Sequence, residues 1–267
     1  MARRGYARGR PGPAGFLRGA RRSRRTPRPA PRCGLEKRPA TLPERDTGRG
    51  AFFTIEGLDF SGKSTLVRAL RSLLSGTEPP AHFTREPGGT PTAERIREVL
   101  LNPALEMDPW TEAYLYAAAR ADHARREILP RLLRGESVIC ERYLDSSIAY
   151  QGYGRGLGAE AVRELNSWAV ETVMPDRTFY LRLDAAERER RAAALEAPLD
   201  RIESIGADFM RRVERGFEEI ARADPQRVAV LDASLPAEEL AQTVLREIRA
   251  LQYTRGDGSA DRRDCGA

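Results

Sequence analysis

The chain has 267 residues, which is sufficient for a single large α/β domain. Its formal net charge of +6 is unevenly distributed, because residues 1–50 contain 15 Lys and Arg but only 3 Asp and Glu, whereas the remaining residues contain 30 basic and 36 acidic side chains. The sequence has no run of about 18 consecutive apolar residues, so a membrane-spanning helix is excluded.

Residues 1–50 are predicted to be a disordered extension, because they are rich in Arg and Pro and poor in large apolar side chains. They lack the apolar run of a secretory signal. A solvated tail without a specific role is one interpretation; an arm that binds polyanions, a transit peptide and an incorrectly assigned translation start are the others. The charge predicts non-specific affinity for nucleic acid at most. A single domain is expected over residues 51–251, followed by a flexible tail over residues 252–267.

The cysteines Cys33, Cys140 and Cys265 are odd in number and far apart, and no CxxC motif occurs. This pattern indicates reduced thiols rather than a disulfide framework or a zinc site, and it favours a cytoplasmic protein.

The first predicted elements of the domain are a buried strand over residues 51–56 and a helix over residues 63–75. The strand is apolar, and Leu66, Leu70 and Leu73 lie on one face of the helix. The residues between them follow the pattern Gly-x-x-x-x-Gly-Lys-Ser. The order strand, loop, helix is the context in which this pattern binds nucleotide phosphates.

This pattern predicts a phosphate-binding loop. Its glycines allow backbone N–H groups to point toward a polyphosphate, and the helix N-terminus adds a partial positive charge. Lys63 can reach the β- and γ-phosphates, and the Ser64 hydroxyl can ligate Mg²⁺. The chain is therefore predicted to bind ATP and Mg²⁺ through Gly57, Leu58, Asp59, Phe60, Ser61, Gly62, Lys63, Ser64 and Thr65.

Strands and helices alternate along the rest of the domain. This order predicts an α/β fold of the P-loop NTPase type, with a five-stranded parallel sheet and helices on both faces. Asp108 and Pro109 mark the start of the longest helix, and Pro130 is expected to bend or end that helix near Leu129. The later strands are predicted at residues 81–84, 137–141, 178–183 and 227–231, and the later helices at residues 91–101, 109–134, 159–173, 185–195, 206–223 and 236–250.

Two charged pairs follow predicted strands. Ligands of parallel sheets bind at the carboxyl ends of the strands, so both pairs are expected beside the phosphate loop. Arg85-Glu86 is either an ordinary turn or part of the site. Glu141 ends the third strand, where a carboxylate can hold Mg²⁺, and Arg142 beside it can bind phosphate oxygens. An exposed ion pair of little energetic value is the alternative for Glu141-Arg142.

Tyr116 and Arg120 lie four residues apart on the longest helix and so share a face. An aromatic ring can stack on a base and a guanidinium can donate to a base carbonyl, although core packing is the simpler interpretation of this alanine-rich stretch. The segment from Asp145 to Gly152 carries hydroxyls, a tyrosine and a glutamine that suit a small polar ligand. The alternative is a helix start capped by Asp145 or Ser146.

Together these segments resemble the bacterial thymidylate kinase family over about residues 51–250. The resemblance implies a homodimeric enzyme with a short lid that phosphorylates dTMP to dTDP with ATP. Two alternatives remain: a kinase for another pyrimidine nucleotide or nucleoside, and a non-catalytic nucleotide-binding module with a basic nucleic-acid-binding arm. The motifs, in the family's order, are Ile-Glu-Gly-Leu-Asp-x-x-Gly-Lys-Ser-Thr, Thr-Arg-Glu-Pro-Gly-Gly-Thr, Glu-Ala-x-Leu-Tyr-Ala-Ala-x-Arg, Arg-Tyr-x-x-Ser-Ser-x-Ala-Tyr-Gln-Gly and Leu-Asp-Arg-Ile-Glu.

The resemblance also implies roles for the residues at matching positions. Tyr116 would stack on thymine, and Arg120 would donate to its O4. Tyr150 would crowd the 2′ carbon and so disfavour a ribonucleotide, and Asp59 would lie near the 3′-hydroxyl and phosphate of the acceptor. The other implied substrate-binding residues are Ser147 and Gln151 facing the base, Glu86, Arg97 and Arg142 lining the acceptor sugar and phosphate, and Ser146.

Three positions depart from the family pattern. The strand-end acid is Glu141 where the family usually has Asp, and Phe60 replaces a residue that is small in most bacterial members. The family's lid arginines have no direct counterpart in residues 192–198. The nearest arginines are Arg188, Arg190 and Arg191 before this stretch and Arg201 after it. The expected catalytic set is Lys63, Arg142, Glu141, Asp59 and Arg191, although the sequence leaves open which lid arginine acts.

Overall fold

The computed structural model of the chain describes residues 48–76, 81–170, 173–194 and 200–256. The predicted extension over residues 1–50 therefore lies almost entirely outside the described residues. The predicted tail over residues 252–267 lies outside them from residue 257 onward, and residues 252–256 belong to the final helix of the domain. Within the described part of the chain, every helix is too short or too polar to cross a lipid bilayer.

Five parallel strands form one sheet, and their bounds differ by no more than one residue from those predicted. The middle strand is fully buried, as expected when helices cover both faces of a sheet. The strands are β1 Phe52–Glu56, β2 His82–Arg85, β3 Val138–Glu141, β4 Arg177–Arg182 and β5 Val228–Asp232, in the spatial order β2-β3-β1-β4-β5. This order brings the carboxyl ends of β1, β2 and β3 together, which confirms that the charged pairs at the ends of β2 and β3 lie at the same edge of the sheet as the phosphate loop.

Helices pack on both faces of the sheet. Successive side chains of a strand point to opposite sides, so each face carries apolar side chains that a helix can cover. Phe53 and Leu66 belong to the hydrophobic cluster on one face, and Phe52 and Phe217 belong to the cluster on the other face. The helices are α1 Lys63–Leu73, α2 Pro91–Leu101, α3 Pro109–His123, α4 Leu129–Leu133, α5 Leu144–Ser147, α6 Ala159–Val170, α7 Ala185–Ala193, α8 Ala207–Ala223 and α9 Ala237–Gly256.

The start of α3 is as predicted, and the helical stretch that it begins continues to Leu133, one residue before the predicted end at residue 134. The carboxylate of Asp108 accepts from the backbone N–H groups of Trp110 and Thr111. Pro130 was expected to bend or end the helix near Leu129; it does not end the helical stretch, but the regular α-helix is interrupted just before Leu129. A wider π-helical stretch, Ala124–Ile128, separates α3 from α4 and places Pro130 in the first turn of a new helix. A proline costs no hydrogen bond at that position.

The segment after β3 is helical throughout, since α5 is followed by a π-helical stretch, Ile148–Gly154. The alternative of a helix start is confirmed, but neither Asp145 nor Ser146 caps it, because the residue at the N-cap position is Tyr143, which offers no side-chain cap. Asp145 instead accepts two hydrogen bonds from Arg227, at 2.6 and 3.0 Å. A distant partner therefore decides the orientation of this carboxylate.

Candidate active site

The loop between β1 and α1 has a backbone suited to surround an anion. Gly57, Phe60 and Gly62 have φ values of 144°, 65° and 91°. A Cβ atom at Gly57 would lie 2.8 Å from both the Leu181 carbonyl oxygen and the Ser61 hydroxyl, so a larger residue would not fit. Gly62 occupies the N-cap position of α1, which leaves the first N–H groups of that helix available to a ligand.

Lys63 is buried at the start of α1, and its Nζ donates to the carbonyl of Leu58 at 2.6 Å. Burial and the neighbouring charge of Arg142 lower the pKa of Lys63 to about 8. A phosphate beside the ammonium would favour the charged form, because opposite charges raise the pKa of a cation. The position of Lys63 therefore suits the neutralisation of a polyphosphate.

Ser64 and Glu141 lie side by side at the ends of neighbouring elements. The Ser64 hydroxyl donates toward both carboxylate oxygens of Glu141, at 3.0 and 3.2 Å. Hydroxyl and carboxylate oxygens are ligands that Mg²⁺ prefers. The longer side chain of glutamate still reaches Ser64, so the departure from aspartate does not separate this pair. These two residues fit the predicted metal.

Arg142 connects the phosphate loop to the segment after β3. Its guanidinium donates to the Gly57 carbonyl at 2.9 Å, to Asp59 at 2.5 Å and to the Tyr150 hydroxyl at 3.3 Å. Burial opposes the charge on Asp59, but Arg142 and Lys63 hold the pKa of Asp59 below its usual value. The result is a fixed guanidinium that lies between the loop and the neighbouring cavity.

A cavity of about 190 Å³ next to this loop collects all the predicted substrate-binding residues. Asp59, Glu141 and Arg142 also line it, so the cavity and the phosphate loop are contiguous. Lys63 and Arg191 are not part of its lining. The predicted substrate-binding residues in the lining are Glu86, Arg97, Tyr116, Arg120, Ser146, Ser147, Tyr150 and Gln151.

Arg120 is held rigidly at the base of this cavity. Its guanidinium donates to Glu86 at 2.8 Å, to Asn166 at 2.5 Å and to the Tyr143 carbonyl at 3.0 Å. The other oxygen of Glu86 lies 3.0 Å from a ring nitrogen of His123. These bonds use three of the five N–H donors of Arg120. The sequence motif places Arg120 on the correct helix face, but it does not reveal these partners.

The candidate lid arginines lie in different surroundings. Arg191 on α7 donates to the carbonyl of Ala233 at 3.0 Å, and its guanidinium lies 3.6 Å from a Cβ built on Gly62. Arg190 is exposed and pairs within its own helix, and Arg201 is buried and donates to a carbonyl at the end of α2. Arg191 is therefore the candidate that lies beside the phosphate loop. The predicted lid itself lies largely outside the described residues, which omit 195–199.

Sequence analysis missed several residues that form or support the cavity. Glu112 could have been found, because it precedes Tyr116 and Arg120 at the same spacing of four residues on α3. Asp200 adjoins Arg201, which sequence analysis had identified as flanking the lid. The other lining residues that were not assigned a role are Pro87, Leu101, Tyr143 and Ile202, whereas Arg85 had been considered as part of the site.

Glu56 was also missed, although it is a buried acid at the end of β1. It accepts from the backbone N–H of Tyr143 at 2.8 Å and of Ser146 at 3.2 Å, and also from the Ser146 hydroxyl. Burial and the neighbouring charge of Asp145 raise the pKa of Glu56 to about 7. Glu56 therefore joins the sheet to α5, directly behind the cavity.

We expect Glu56 to make stability fall as the pH rises from 4.5 to about 7. In this window the folded state binds more protons than the unfolded state, because the pKa is raised by folding. Glu56→Gln cannot lose a proton, so its free energy of unfolding should rise relative to wild type by on the order of 3 kcal/mol across the window. Urea unfolding of both proteins at a series of pH values measures this. A difference in free energy of unfolding between the two proteins that does not vary with pH would contradict the raised pKa of Glu56.

The fold and the loop define the class of protein. A parallel sheet whose central strand runs into a Gly-rich loop and then a helix that begins with Lys and Ser is a P-loop nucleotide-binding domain. Comparison with known proteins narrows this class, since the thymidylate kinase family profile matches residues 55–244. The chain belongs to the thymidylate kinase family, whose members are nucleoside monophosphate kinases.

Several relatives support this assignment. The thymidylate kinase of Pelotomaculum thermopropionicum is 46% identical over 187 residues, which is 70% of this chain and 87% of the relative. That of Deinococcus radiodurans is 45% identical over 192 residues, which is 72% of this chain and 93% of the relative. The crystal structure of thymidylate kinase from Ehrlichia chaffeensis superposes with a TM-score of 0.61 and 32% identity, and covers 75% of this chain and 99% of that one. The predicted family and fold class are confirmed.

Proposed function

We propose that the chain phosphorylates dTMP to dTDP with ATP as the phosphoryl donor. The observation that carries this proposal is the continuity between the phosphate loop and the cavity, because Asp59, Glu141 and Arg142 border both. Two anionic substrates can therefore meet end to end. Membership of the thymidylate kinase family supports dTMP as the acceptor.

The proposed recognition of the base uses the far end of the cavity. Tyr116 stacks on thymine, and Arg120 donates one of its remaining N–H groups to O4. The Ser147 hydroxyl is buried and has no hydrogen-bond partner among the described residues, so it is available to the ligand. Gln151 faces the same ring, and Tyr150 excludes a 2′-hydroxyl.

The proposed reaction occurs at the opposite end, near Arg142. An oxygen of the dTMP phosphate forms a bond to the γ-phosphorus of ATP, and the bond from this phosphorus to the β,γ-bridging oxygen breaks. The attacking oxygen is already anionic, so no strong general base is needed. Lys63, Arg142 and Arg191 act by neutralising charge and by fixing the two phosphates in line. Glu86 and Arg97 shape the part of the cavity that holds the acceptor sugar and phosphate.

We also propose that Ser64 and Glu141 hold Mg²⁺ when ATP binds, Ser64 directly and Glu141 through the water shell. The bound metal would supply positive charge that offsets the charge of the phosphates. Removal of divalent cations with a chelator should abolish turnover, and restoring Mg²⁺ should recover it.

The proposed assembly is a homodimer that works in the cytoplasm. Large apolar side chains are exposed on three neighbouring helices: Val99 on α2, Trp110 and Tyr114 on α3, and Trp168 on α6. A second copy that covers this face would remove them from water. The dimer would be contradicted if sedimentation equilibrium showed only monomers at micromolar concentration. The cytoplasmic location would be contradicted if the protein were recovered with the cell envelope.

The function is tested with the full chain in an assay that couples ADP formation to a visible signal. We expect rapid ADP formation only when dTMP accompanies ATP and Mg²⁺, in a panel of all nucleoside monophosphates and of deoxynucleosides. Faster turnover with dUMP or a deoxynucleoside would favour the alternative pyrimidine kinase. ADP release stimulated by DNA but not by dTMP would favour a nucleotide-binding module instead.

A further inference from the structure

Glu112 is a fully buried carboxylate on α3, one helical turn before Tyr116. One of its oxygens accepts from the Gln151 amide at 2.9 Å and from Nε of Arg155 at 3.2 Å. The other oxygen lies 2.7 Å from Nη2 of Arg155 and 2.8 Å from Nη2 of Arg201. Burial opposes its charge, but the hydrogen bonds from Arg155 and Gln151 hold the pKa of Glu112 below its usual value. Glu112 is therefore a carboxylate that can only accept.

This environment fixes the orientation of the Gln151 side chain. A carboxylate cannot donate a hydrogen bond, so the amide nitrogen of Gln151 must face Glu112. The amide carbonyl oxygen then remains as the group that Gln151, which lines the cavity, can offer to a ligand. Arg120, which also lines the cavity, can only donate, because a guanidinium has no acceptor.

We propose that Glu112 is a positioning residue that selects the base by holding the Gln151 carbonyl toward the cavity. This inference rests on the proposed function and specifies how its acceptor is chosen. An acceptor from Gln151 beside a donor from Arg120 matches a base with an N–H group at N3 and a carbonyl at C4, as in thymine and uracil. Cytosine presents the opposite pattern, an unprotonated N3 and an amino group. Hydrogen-bonding sites reject ligands that leave their buried polar groups unpaired.

Glu112→Gln should invert the amide of Gln151. The new side chain keeps one acceptor, which the donors of Arg155 and Arg201 will engage, and its amide nitrogen then faces Gln151. The Gln151 carbonyl must turn to accept from that nitrogen, and its own N–H groups turn to the cavity. The pocket would then present one donor to thymine O4 and another to N3–H. The second donor is mismatched, because N3–H is itself a donor.

The test measures kcat/KM and the dissociation constant for dTMP and dCMP. We expect Glu112→Gln to reduce the preference for dTMP over dCMP roughly tenfold or more. The loss should appear in KM for the acceptor, whereas KM for ATP should stay close to wild type. Glu127→Gln is the matched control, because it removes another carboxylate that pairs with an arginine, Arg131, away from the cavity. It should leave the preference unchanged.

A second variant guards against loss of folding. When Glu112→Gln is combined with Gln151→Glu, the carboxylate introduced at position 151 accepts from the amide introduced at position 112 and presents its other oxygen to the base. This double variant also conserves the net charge of the cluster. We expect it to recover most of the dTMP preference, which a merely structural role of Glu112 would not predict.

The outcomes separate this inference from the proposed function. An unchanged dTMP preference in a folded Glu112→Gln variant, or no recovery in the double variant, would overturn the role of Glu112. Calorimetric binding of dTMP and dCMP gives the same comparison without turnover. Failure of wild-type turnover therefore counts against the kinase activity, whereas the ratio of the dissociation constants still decides the role of Glu112.

Discussion

Replacement of Lys63 by alanine is expected to lower kcat roughly 10²- to 10³-fold, the range found when one preorganised charge-stabilising group is removed. Lys63 is the buried cation of the phosphate loop, and burial already lowers its pKa to about 8. A site built around this ammonium loses its interaction with phosphate charge in the transition state. Steady-state kinetics at saturating ATP and dTMP measure the loss.

The control for this variant lies on the same helix. Arg68→Ala removes an exposed cation of α1 and should leave kcat within about twofold, since exposed charges contribute little. Thermal unfolding of both variants separates a loss of chemistry from a loss of fold. Near-normal turnover of Lys63→Ala would show that the loop lysine does not act on the transferred phosphoryl group.

Replacement of Arg142 by lysine is expected to lower kcat/KM for dTMP by roughly 10²-fold or more, although the positive charge is kept. Arg142 donates to the Gly57 carbonyl, to Asp59 and to Tyr150 at the same time. An ammonium cannot reproduce this planar set of donors, so both the loop and the acceptor phosphate lose their orientation. Initial rates over a range of dTMP concentrations measure this effect.

A matched control is Arg134→Lys, which alters a half-exposed arginine paired with Glu136 at the opposite end of β3. It should leave the kinetics unchanged. If Arg142→Lys behaved like this control, Arg142 would have no special role in holding phosphate. Unfolding in urea should be measured for both variants, because the pair between Arg142 and Asp59 is partly buried.

Local patterns in the sequence were sufficient for much of the fold. The phosphate loop was identified because its parts have fixed spacing within one short stretch. These parts are the strand of residues 51–56, Gly57, Gly62, Lys63 and Ser64. The strands β1, β3 and β4 were located within one residue because buried parallel strands are short apolar runs. The alternation of strands with helices then fixed the parallel sheet and the rim where its ligands bind.

The candidate site was predicted in part for the same reason. The motif residues Tyr116, Arg120 and Gln151 were selected by their resemblance to a family, and the folded chain brings them to one cavity. The lid remained undecided, because the arginines near residues 192–198 do not follow the family's spacing. Their positions in space, and not their order in the chain, distinguish Arg191 from Arg201.

The sequence by itself thus determined the order of the elements, the nucleotide-binding loop and the family, since each depends on residues that are neighbours in the chain. Only the tertiary structure decided which charges are paired behind the cavity. Glu56 meets Ser146 across 90 residues, and Asp145 meets Arg227 across 82 residues. A buried charge is stable only beside a partner of the right chemistry, and that partner is supplied by the order of the strands in the sheet, which no local pattern encodes.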